Sequence, residues 1–151
     1  MMRPYTSTAQ PIEVLLIEDN AGDVRLTLEA LRDAKVLNHL SIVSDGVEAM
    51  AFLHKQPPFD KVPRPDIILL DLNLPRMNGR EVLREIKTHE SLRRIPVVIL
   101  TTSRAEEDIL RTYDLHANCF VTKPVDFDQF ELVVRSISDF WFEIVKLPPA
   151  N

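Results

Sequence analysis

Three short runs of consecutive apolar residues constrain the fold of this chain more than any other feature. They are 14–17, 67–70 and 97–100, and they consist of Val, Ile and Leu alone. A strand with one wet face alternates apolar and polar residues, whereas a strand buried on both faces is apolar throughout. The runs therefore predict central strands of a parallel sheet that is covered by helices on both sides.

The remaining segments complete an alternating pattern of strands and helices. Two weaker runs, 40–43 and 119–122, predict further strands. Between the strands, apolar residues recur at helical spacing. The predicted apolar faces are Val24, Leu28 and Leu31; Val47, Met50 and Ala51; Val82, Leu83 and Ile86; Ile109 and Tyr113; and Phe130, Val133, Val134, Ile137, Trp141 and Ile144. Five strands alternating with five helices predict an α/β fold, a doubly wound (βα)5 sandwich.

One domain with a loose segment at each end is predicted. Residues 1–11 carry two prolines and several small polar residues, and we interpret them as a flexible tail. The domain then spans 12–147 and ends in an extended C-terminal helix, followed by a short tail over 148–151. Four prolines within 56–66 predict a stiff, irregular loop. No output domain is expected after the last helix.

Composition argues against several classes of protein. The net charge of −5 disfavours broad binding to nucleic acid, which needs a clustered basic surface. No apolar run approaches the ~20 residues that span a bilayer, and the N-terminus lacks the apolar stretch of a signal peptide. Cys119 is the only cysteine, so no intrachain disulfide can form. We expect a cytoplasmic protein that binds neither nucleic acid nor membrane.

Polar residues follow the predicted strands at their carboxyl ends. Glu18 and Asp19 follow the first strand, Asp71 the third, Thr101 the fourth and Lys123 the fifth. The functional crevice of a doubly wound sheet lies at these ends, where the strand order reverses. If the strand order is the flavodoxin-like one, the first and third strands are neighbours and the three carboxylates converge.

Three converging carboxylates favour a metal site. They repel one another by several kcal/mol at an effective dielectric constant of ~20, so something must neutralise them. Mg²⁺ prefers oxygen ligands and binds phosphate as well as carboxylates. The backbone carbonyl of Asn73 is a further candidate ligand. The hypothesis is a Mg²⁺ site held by Glu18, Asp19, Asp71 and Asn73.

Each of these residues also has a purely structural explanation when it is taken alone. An Asp or Asn after a strand is usually a helix cap or a turn former, and we interpret Asn20 and Asp23 as caps. Thr101 alone would cap the following helix, and Lys123 alone would be a solvated surface charge. Because the acidic pair, the single Asp, the hydroxyl and the Lys occupy equivalent ends of four strands, chance is a poor explanation of the set.

Four motifs at these strand ends are highly specific as a set. They are Leu-Leu-Ile-Glu-Asp (15–19), Ile-Leu-Leu-Asp-Leu-Asn-Leu-Pro (68–75) followed by Gly79, Val-Val-Ile-Leu-Thr-Thr (97–102) and Thr-Lys-Pro (122–124). Through them the chain resembles the receiver domains of response regulators from Ile12 to about Val145. The resemblance implies the flavodoxin-like sandwich with a five-stranded parallel sheet in the order 2-1-3-4-5.

A narrower set of motifs resembles one group within that family. These motifs are Asp-Leu-Asn-Leu-Pro (71–75), Gly-Arg-Glu-Val-Leu (79–83), Arg-Ile-Pro-Val-Val (94–98), Leu-Thr-Thr-Ser (100–103) and the ending from Phe-Trp-Phe (140–142) to Leu-Pro (147–148). They are similar to the single-domain regulators of bacterial and cyanobacterial phytochromes. Several members of that group have Thr-Lys-Ser where this chain has Thr-Lys-Pro.

The resemblance implies a two-component response regulator. Asp71 would be the phosphoacceptor, with Glu18 and Asp19 as the acidic pair that holds Mg²⁺ and Asn73 as a carbonyl ligand. The donor would be a sensor histidine kinase, of the phytochrome type by the narrower likeness. The protein would change a protein-interaction surface rather than turn over a substrate, and its only chemistry would be phosphorylation from phosphodonors and autodephosphorylation.

The resemblance also implies the parts of a switch. Thr101 would be the hydroxyl that moves toward the phosphoryl group, and Lys123 would pair with phosphoryl oxygens. Phe120 stands where the family carries an aromatic switch residue, often Tyr, so a mechanism that needs the tyrosine hydroxyl does not apply here. The bond before Pro124 resembles the family's cis peptide.

Three consecutive aromatic residues near the C-terminus predict a contact surface. Successive helical residues point ~100° apart, so Phe140, Trp141 and Phe142 cannot all face one core. An exposed aromatic ring beside other apolar residues favours a partner, and we favour a homodimer through the last helix and the C-terminal extension. The alternative is that the N-terminal tail covers this patch.

Three other functions stay open at this point. A phosphatase with an aspartate nucleophile would need a second Asp two residues after Asp71, where Asn73 stands. A flavodoxin-like redox carrier would need a Ser-, Thr- or Gly-rich phosphate loop after the first strand, where residues 18–23 are acidic. An adaptor that is never phosphorylated would usually have lost part of the acidic site.

Overall fold

The structure, a computed structural model, describes residues 11–34, 37–110 and 119–136. Within these ranges strands and helices alternate strictly. In chain order they are β1 (Ile12–Ile17), α1 (Ala21–Asp33), β2 (Asn38–Val43), α2 (Gly46–Leu53), β3 (Ile67–Asp71), α3 (Gly79–Thr88), β4 (Val97–Thr101), α4 (Arg104–Leu110), β5 (Cys119–Thr122) and α5 (Phe127–Ser136).

The five strands form one parallel sheet in the order β2-β1-β3-β4-β5. The interior strand β1 pairs with β2 on one side and with β3 on the other, so that Leu16 lies between Ile42 and Leu69. The order 2-1-3-4-5 and the doubly wound α/β class are thereby confirmed. The strand order reverses between β1 and β3, and the crevice lies beyond their carboxyl ends.

Consecutive residues of the central strands pack into two separate apolar cores. One core lies under α2 and α3 and takes the side chains of Leu15, Ile68 and Ile99. The other lies under α1 and α5 and takes those of Leu16 and Leu69. Every residue of β3 and β4 is buried. This burial on both faces is the physical reason for the continuous apolar runs.

Short polar side chains determine where the first three helices begin. The Asn20 side chain accepts a hydrogen bond from the backbone N–H of Asp23 at the start of α1. Asp45 caps α2 through the N–H of Glu48. Asn78 begins α3 with a reciprocal capping box to Glu81. The predicted cap at Asn20 is confirmed, whereas the interpretation of Asp23 as a cap was wrong, because Asp23 lies inside the first turn.

Three residues that were assigned to apolar helix faces are exposed. The fractions exposed are 36% for Leu28, 44% for Val47 and 59% for Ile109. In α1 the core side consists of Thr27, Ala30 and Leu31 instead. A stripe of three residues leaves the rotation of a helix about its axis open by tens of degrees, and packing against the sheet decides it. In α3 the predicted face of Val82, Leu83 and Ile86 is buried.

Several sequence-based expectations fall outside the described residues. These are residues 1–10 of the N-terminal tail, the C-terminal tail over 148–151, Tyr113 and the continuation of the last helix through Ile137, Trp141 and Ile144. The loop over 56–66, by contrast, lies within the described residues and forms neither helix nor strand. Among the helices that the structure describes, none combines the length and the apolar character needed to cross a bilayer.

Candidate functional site

Three carboxylates meet at the carboxyl edge of the sheet. Glu18 directly follows β1, Asp71 is the last residue of β3, and the pairing of Ile17 with Leu70 places these two strand ends side by side. One oxygen each of Glu18, Asp19 and Asp71 lies within 4.8 Å of the others. Glu18 and Asp71 are buried, whereas Asp19 is exposed.

The burial and mutual repulsion of these carboxylates affect the pKa of Glu18. The pKa of the Glu18 carboxyl is raised from 4.5 to about 7, chiefly by burial and also by the neighbouring Asp71, while Lys123 acts in the opposite direction. A buried carboxyl whose pKa is raised by a second carboxylate favours any added positive charge. The three oxygens therefore fit a hard divalent cation, the class of cofactor that the sequence predicted.

Two contacts orient the Asp71 carboxylate. Its Oδ1 accepts a hydrogen bond of 3.0 Å from the backbone N–H of Asn73. Its Oδ2 accepts one of 3.2 Å from the Lys123 ammonium. The Asn73 side chain is exposed, so Asn73 lies beside the site through its backbone. The carboxylate is thus held by one donor from the loop after β3 and one from the loop after β5.

The ammonium of Lys123 bridges three carboxylates. Its Nζ donates to Glu18 Oε1 at 3.0 Å, to Asp23 Oδ2 at 2.9 Å and to Asp71 Oδ2 at 3.2 Å. Burial lowers the pKa of Lys123, but the hydrogen bonds to Asp23 and Glu18 and the charge of Asp71 outweigh burial, and the pKa lies above its ordinary value. Lys123 is therefore charged at every physiological pH.

The loop that carries Lys123 is fastened to the neighbouring strand. The backbone N–H of Lys123 donates to the carbonyl of Thr101 at 2.7 Å, just beyond the last paired residues of β4 and β5. The Lys123–Pro124 peptide bond is cis. Pro124 itself is exposed. These features place Lys123 at the same edge of the sheet as the acidic cluster.

Thr101 ends β4 and turns its hydroxyl toward β5. Oγ1 lies 3.4 Å from the Val121 carbonyl and 3.5 Å from Thr122 Oγ1. The Thr122 hydroxyl in turn lies 3.5 Å from a carboxylate oxygen of Glu107 on α4. Bonds of this length are weak, so the Thr101 hydroxyl is only lightly held in this position.

Phe120 lies next to an open groove between α4, β5 and α5. Its half-buried side chain packs against the core under α2 and α3. The groove has a volume of about 350 Å³, and its lining includes Arg104, Phe120 and Leu132. The structure thus brings Glu18, Asp19, Asp71 and Lys123 into one cluster, and it places Thr101 and Phe120 toward α4.

One residue of the cluster was missed by reasoning from the sequence. Asp23 makes the shortest of the three contacts to Lys123, although the sequence suggested only a capping role for it. An acidic residue in the first turn after β1 was the available signal. Nothing local in the sequence shows which way that turn faces. Phe140, Trp141 and Phe142 lie outside the described residues, so the dimer surface stays a prediction.

Comparison with known proteins shows what the chain as a whole is similar to. Residues 14–135 match the sequence profile of the response regulator receiver domain. The response regulator Rcp1 of Synechocystis sp. is 48% identical over 140 residues, which cover 93% of this chain and 95% of Rcp1. Its Mn²⁺-bound form superposes with a TM-score of 0.70 and covers 92% of this chain and 100% of that one.

Two further solved structures share both fold and sequence. The bacteriophytochrome response regulator AtBRR has a TM-score of 0.80 at 38% identity, over 94% of this chain and 99% of its own. The phosphorylated cyanobacterial phytochrome response regulator RcpA has a TM-score of 0.71 at 46% identity, over 93% and 100% respectively. The likeness that the motifs suggested therefore extends over almost the whole chain.

Proposed function

Because the chain belongs to the response regulator receiver domain family, we propose that it accepts a phosphoryl group on Asp71 and signals through the change that follows. Phosphorylation and Mg²⁺ are general features of this family. The observation that carries the proposal is the cluster itself. Asp71 is buried, oriented through both of its oxygens, and lies beside an acidic pair and a permanently charged Lys.

In this proposal the chain supplies mainly position and charge. The donor in this proposal is a phosphohistidine of the sensor histidine kinase. A carboxylate oxygen of Asp71 attacks phosphorus, the bond from phosphorus to the histidine nitrogen breaks, and that nitrogen keeps the electron pair and takes up a proton. Charge spreads over the three equatorial oxygens, where Lys123 donates a hydrogen bond. Glu18, Asp19 and Asp71, with the carbonyl of Asn73, would hold Mg²⁺, which neutralises charge on the transferred group.

The same residues account for a switch. The Thr101 hydroxyl is held toward β5 only by contacts of 3.4 and 3.5 Å, so a phosphoryl oxygen on Asp71 competes for it easily. Its movement would open space beside Phe120, at the groove between α4, β5 and α5. Phosphorylation would thus alter a protein-interaction surface. Attack of water on the acyl phosphate would return the protein to its first state.

The partner we propose is a sensor histidine kinase of the phytochrome type. The support is the similarity to Rcp1, AtBRR and RcpA, of which the last two are phytochrome response regulators. The site contains one phosphoacceptor and Asn73 at the position where an aspartate phosphatase has its second Asp. We therefore infer that phosphorylation from a donor and autodephosphorylation are its only reactions.

We also propose a homodimer through Phe140, Trp141 and Phe142.

The proposal is tested by mass spectrometry of the intact protein after incubation with acetyl phosphate and Mg²⁺. We expect an adduct of one phosphoryl group that requires the metal and disappears in Asp71→Asn. Asp60→Asn, which removes the same charge from an exposed loop, should form the adduct normally. An adduct that persists in Asp71→Asn would disprove Asp71 as the acceptor. Steady hydrolysis of p-nitrophenyl phosphate would favour the phosphatase instead.

A further inference from the structure

The ammonium of Lys123 has no donor to spare. An ammonium carries three N–H donors, and the three carboxylates of Glu18, Asp23 and Asp71 accept hydrogen bonds from it at 2.9 to 3.2 Å. Two of these acceptors, Glu18 and Asp71, belong to the cluster that fits the metal. Asp23 does not belong to that cluster. When a cation binds Glu18 and Asp71, Asp23 is therefore the acceptor whose negative charge still acts fully on Lys123.

Asp23 is also held in place independently of Lys123. It lies in the first turn of α1, and its backbone N–H donates to Asn20 Oδ1 at 2.8 Å. Its side chain is 32% exposed and that of Lys123 is 12% exposed. An ion pair with one partner this deeply buried is screened less than a pair on the open surface. The contact can therefore hold the flexible Lys side chain at one point.

We propose that Asp23 is a positioning residue for phosphoryl transfer, which anchors the Lys123 ammonium beside Asp71. A bound divalent cation would repel the Lys123 ammonium. The cation would also neutralise part of the negative charge of Glu18 and Asp71, which otherwise attracts the ammonium. Asp23 opposes this repulsion from the α1 side. When Asp71 receives the phosphoryl group, the Lys123 N–H that pointed at Asp71 Oδ2 turns to a phosphoryl oxygen. The hydrogen bond from Lys123 to Asp23 is kept.

This role rests on the proposed function and differs from a purely structural one. A structural Asp23 would only tie α1 to the loop after β5, so its removal would lower stability and leave the reaction of Asp71 unchanged. A positioning Asp23 governs the rate. Loss of an anchored donor should slow transfer by about tenfold, less than the roughly 10²-fold cost of a misplaced catalytic group, because Glu18 and Asp71 still contact the ammonium.

The experiment measures the rate at which the Asp71 adduct forms from acetyl phosphate and Mg²⁺, well below the unfolding midpoint of every variant. We expect Asp23→Asn to be about tenfold slower than wild type. Asp23→Glu should recover most of the rate because it restores the charge. Asp128→Asn removes the same charge from the first turn of α5, where Asp128 is exposed, and should react like wild type.

A second measurement needs neither metal nor phosphodonor. In wild-type protein the Lys123 ammonium hydrogens should exchange slowly enough to give a nitrogen–hydrogen NMR signal, and in Asp23→Asn this signal should broaden or vanish. A normal adduct rate in Asp23→Asn, or a slow rate that Asp23→Glu does not recover, would overturn the inference. If wild type forms no adduct, the proposed function fails, and an unchanged ammonium signal in Asp23→Asn would separately refute the anchor.

Discussion

Within the acidic cluster, Glu18 has a clearly raised pKa. Its carboxyl is buried beside Asp71, and burial together with Asp71 raises its pKa from the ordinary value of 4.5 to about 7, against the opposing effect of Lys123. In the metal-free protein, protonated Glu18 therefore contributes stability that is fully present below about pH 4.5 and is lost as the pH rises through about 7. Binding of a cation reverses this preference, because a ligand carboxylate must be ionised.

The affinity for Mg²⁺ should accordingly depend on pH through Glu18. We expect the affinity to rise between about pH 5.5 and about pH 7.5 and then to level off, with release of a proton on binding in the lower part of that range. Isothermal titration in two buffers of different ionisation enthalpy measures the protons released. Glu18→Gln should bind Mg²⁺ more weakly and lose most of this dependence. A flat affinity over the range in wild type would contradict the argument.

At the scale of elements, the connection from β3 to α3 holds Asp71 in place. Gly79 is the first residue of α3, and its N–H donates to the carbonyl of Leu72 at 3.0 Å. A Cβ at this position would lie 2.6 Å from the carbonyl oxygen of Asp71 and would also meet the backbone of Leu72. Only glycine lets the helix start this close to the end of the strand.

Gly79→Ala should therefore disturb stability and site together. We expect a loss of roughly 1–3 kcal/mol in the free energy of unfolding, as for other overpacked positions, and slower formation of the Asp71 adduct. Urea denaturation measures the first effect and mass spectrometry the second. Gly22→Ala is the matched control, because a Cβ in this first turn of α1 meets only Asn20 Oδ1, at 3.2 Å. Equal stability of the two variants would refute the packing argument.

At the scale of the whole molecule, one apolar side chain stays exposed beside an open groove, although helices cover both faces of the sheet. The sheet is covered by α2, α3 and α4 on one side and by α1 and α5 on the other. Leu132 of α5 is nevertheless exposed beside the groove that Phe120 and Arg104 line. Phe140, Trp141 and Phe142 follow α5 in the sequence, and it is through these residues that we propose the homodimer.

Sedimentation of wild-type protein should therefore show a dimer whose fraction rises with concentration. Trp141→Ala and Phe142→Ala should each shift the equilibrium toward the monomer, since large aromatic residues usually dominate an interface. Leu37→Ala removes an exposed apolar side chain next to β2 and should leave the equilibrium unchanged. A wild-type protein that stays monomeric at all concentrations would exclude the proposed dimer.

The sequence alone determined the strands and the residues at their ends. A strand buried on both faces must be apolar at every position, so the runs ending at Ile17, Leu70 and Leu100 identified the centre of the sheet. The chain direction then placed Glu18, Asp71 and Thr101 at one edge, because parallel strands end together. These properties follow from local composition and chain order, which is why they could be derived without coordinates.

Only the tertiary structure decided how the helices are turned and which charges meet. The apolar pattern of α1 allowed Leu28 to face the core, but packing on the sheet buries Thr27 instead and turns Asp23 toward Lys123. The rotation of a helix depends on the surface on which it packs, and that surface is made by residues distant in the chain. The contact between Asp23 and Lys123 joins residues 100 positions apart, so no local pattern could have predicted it.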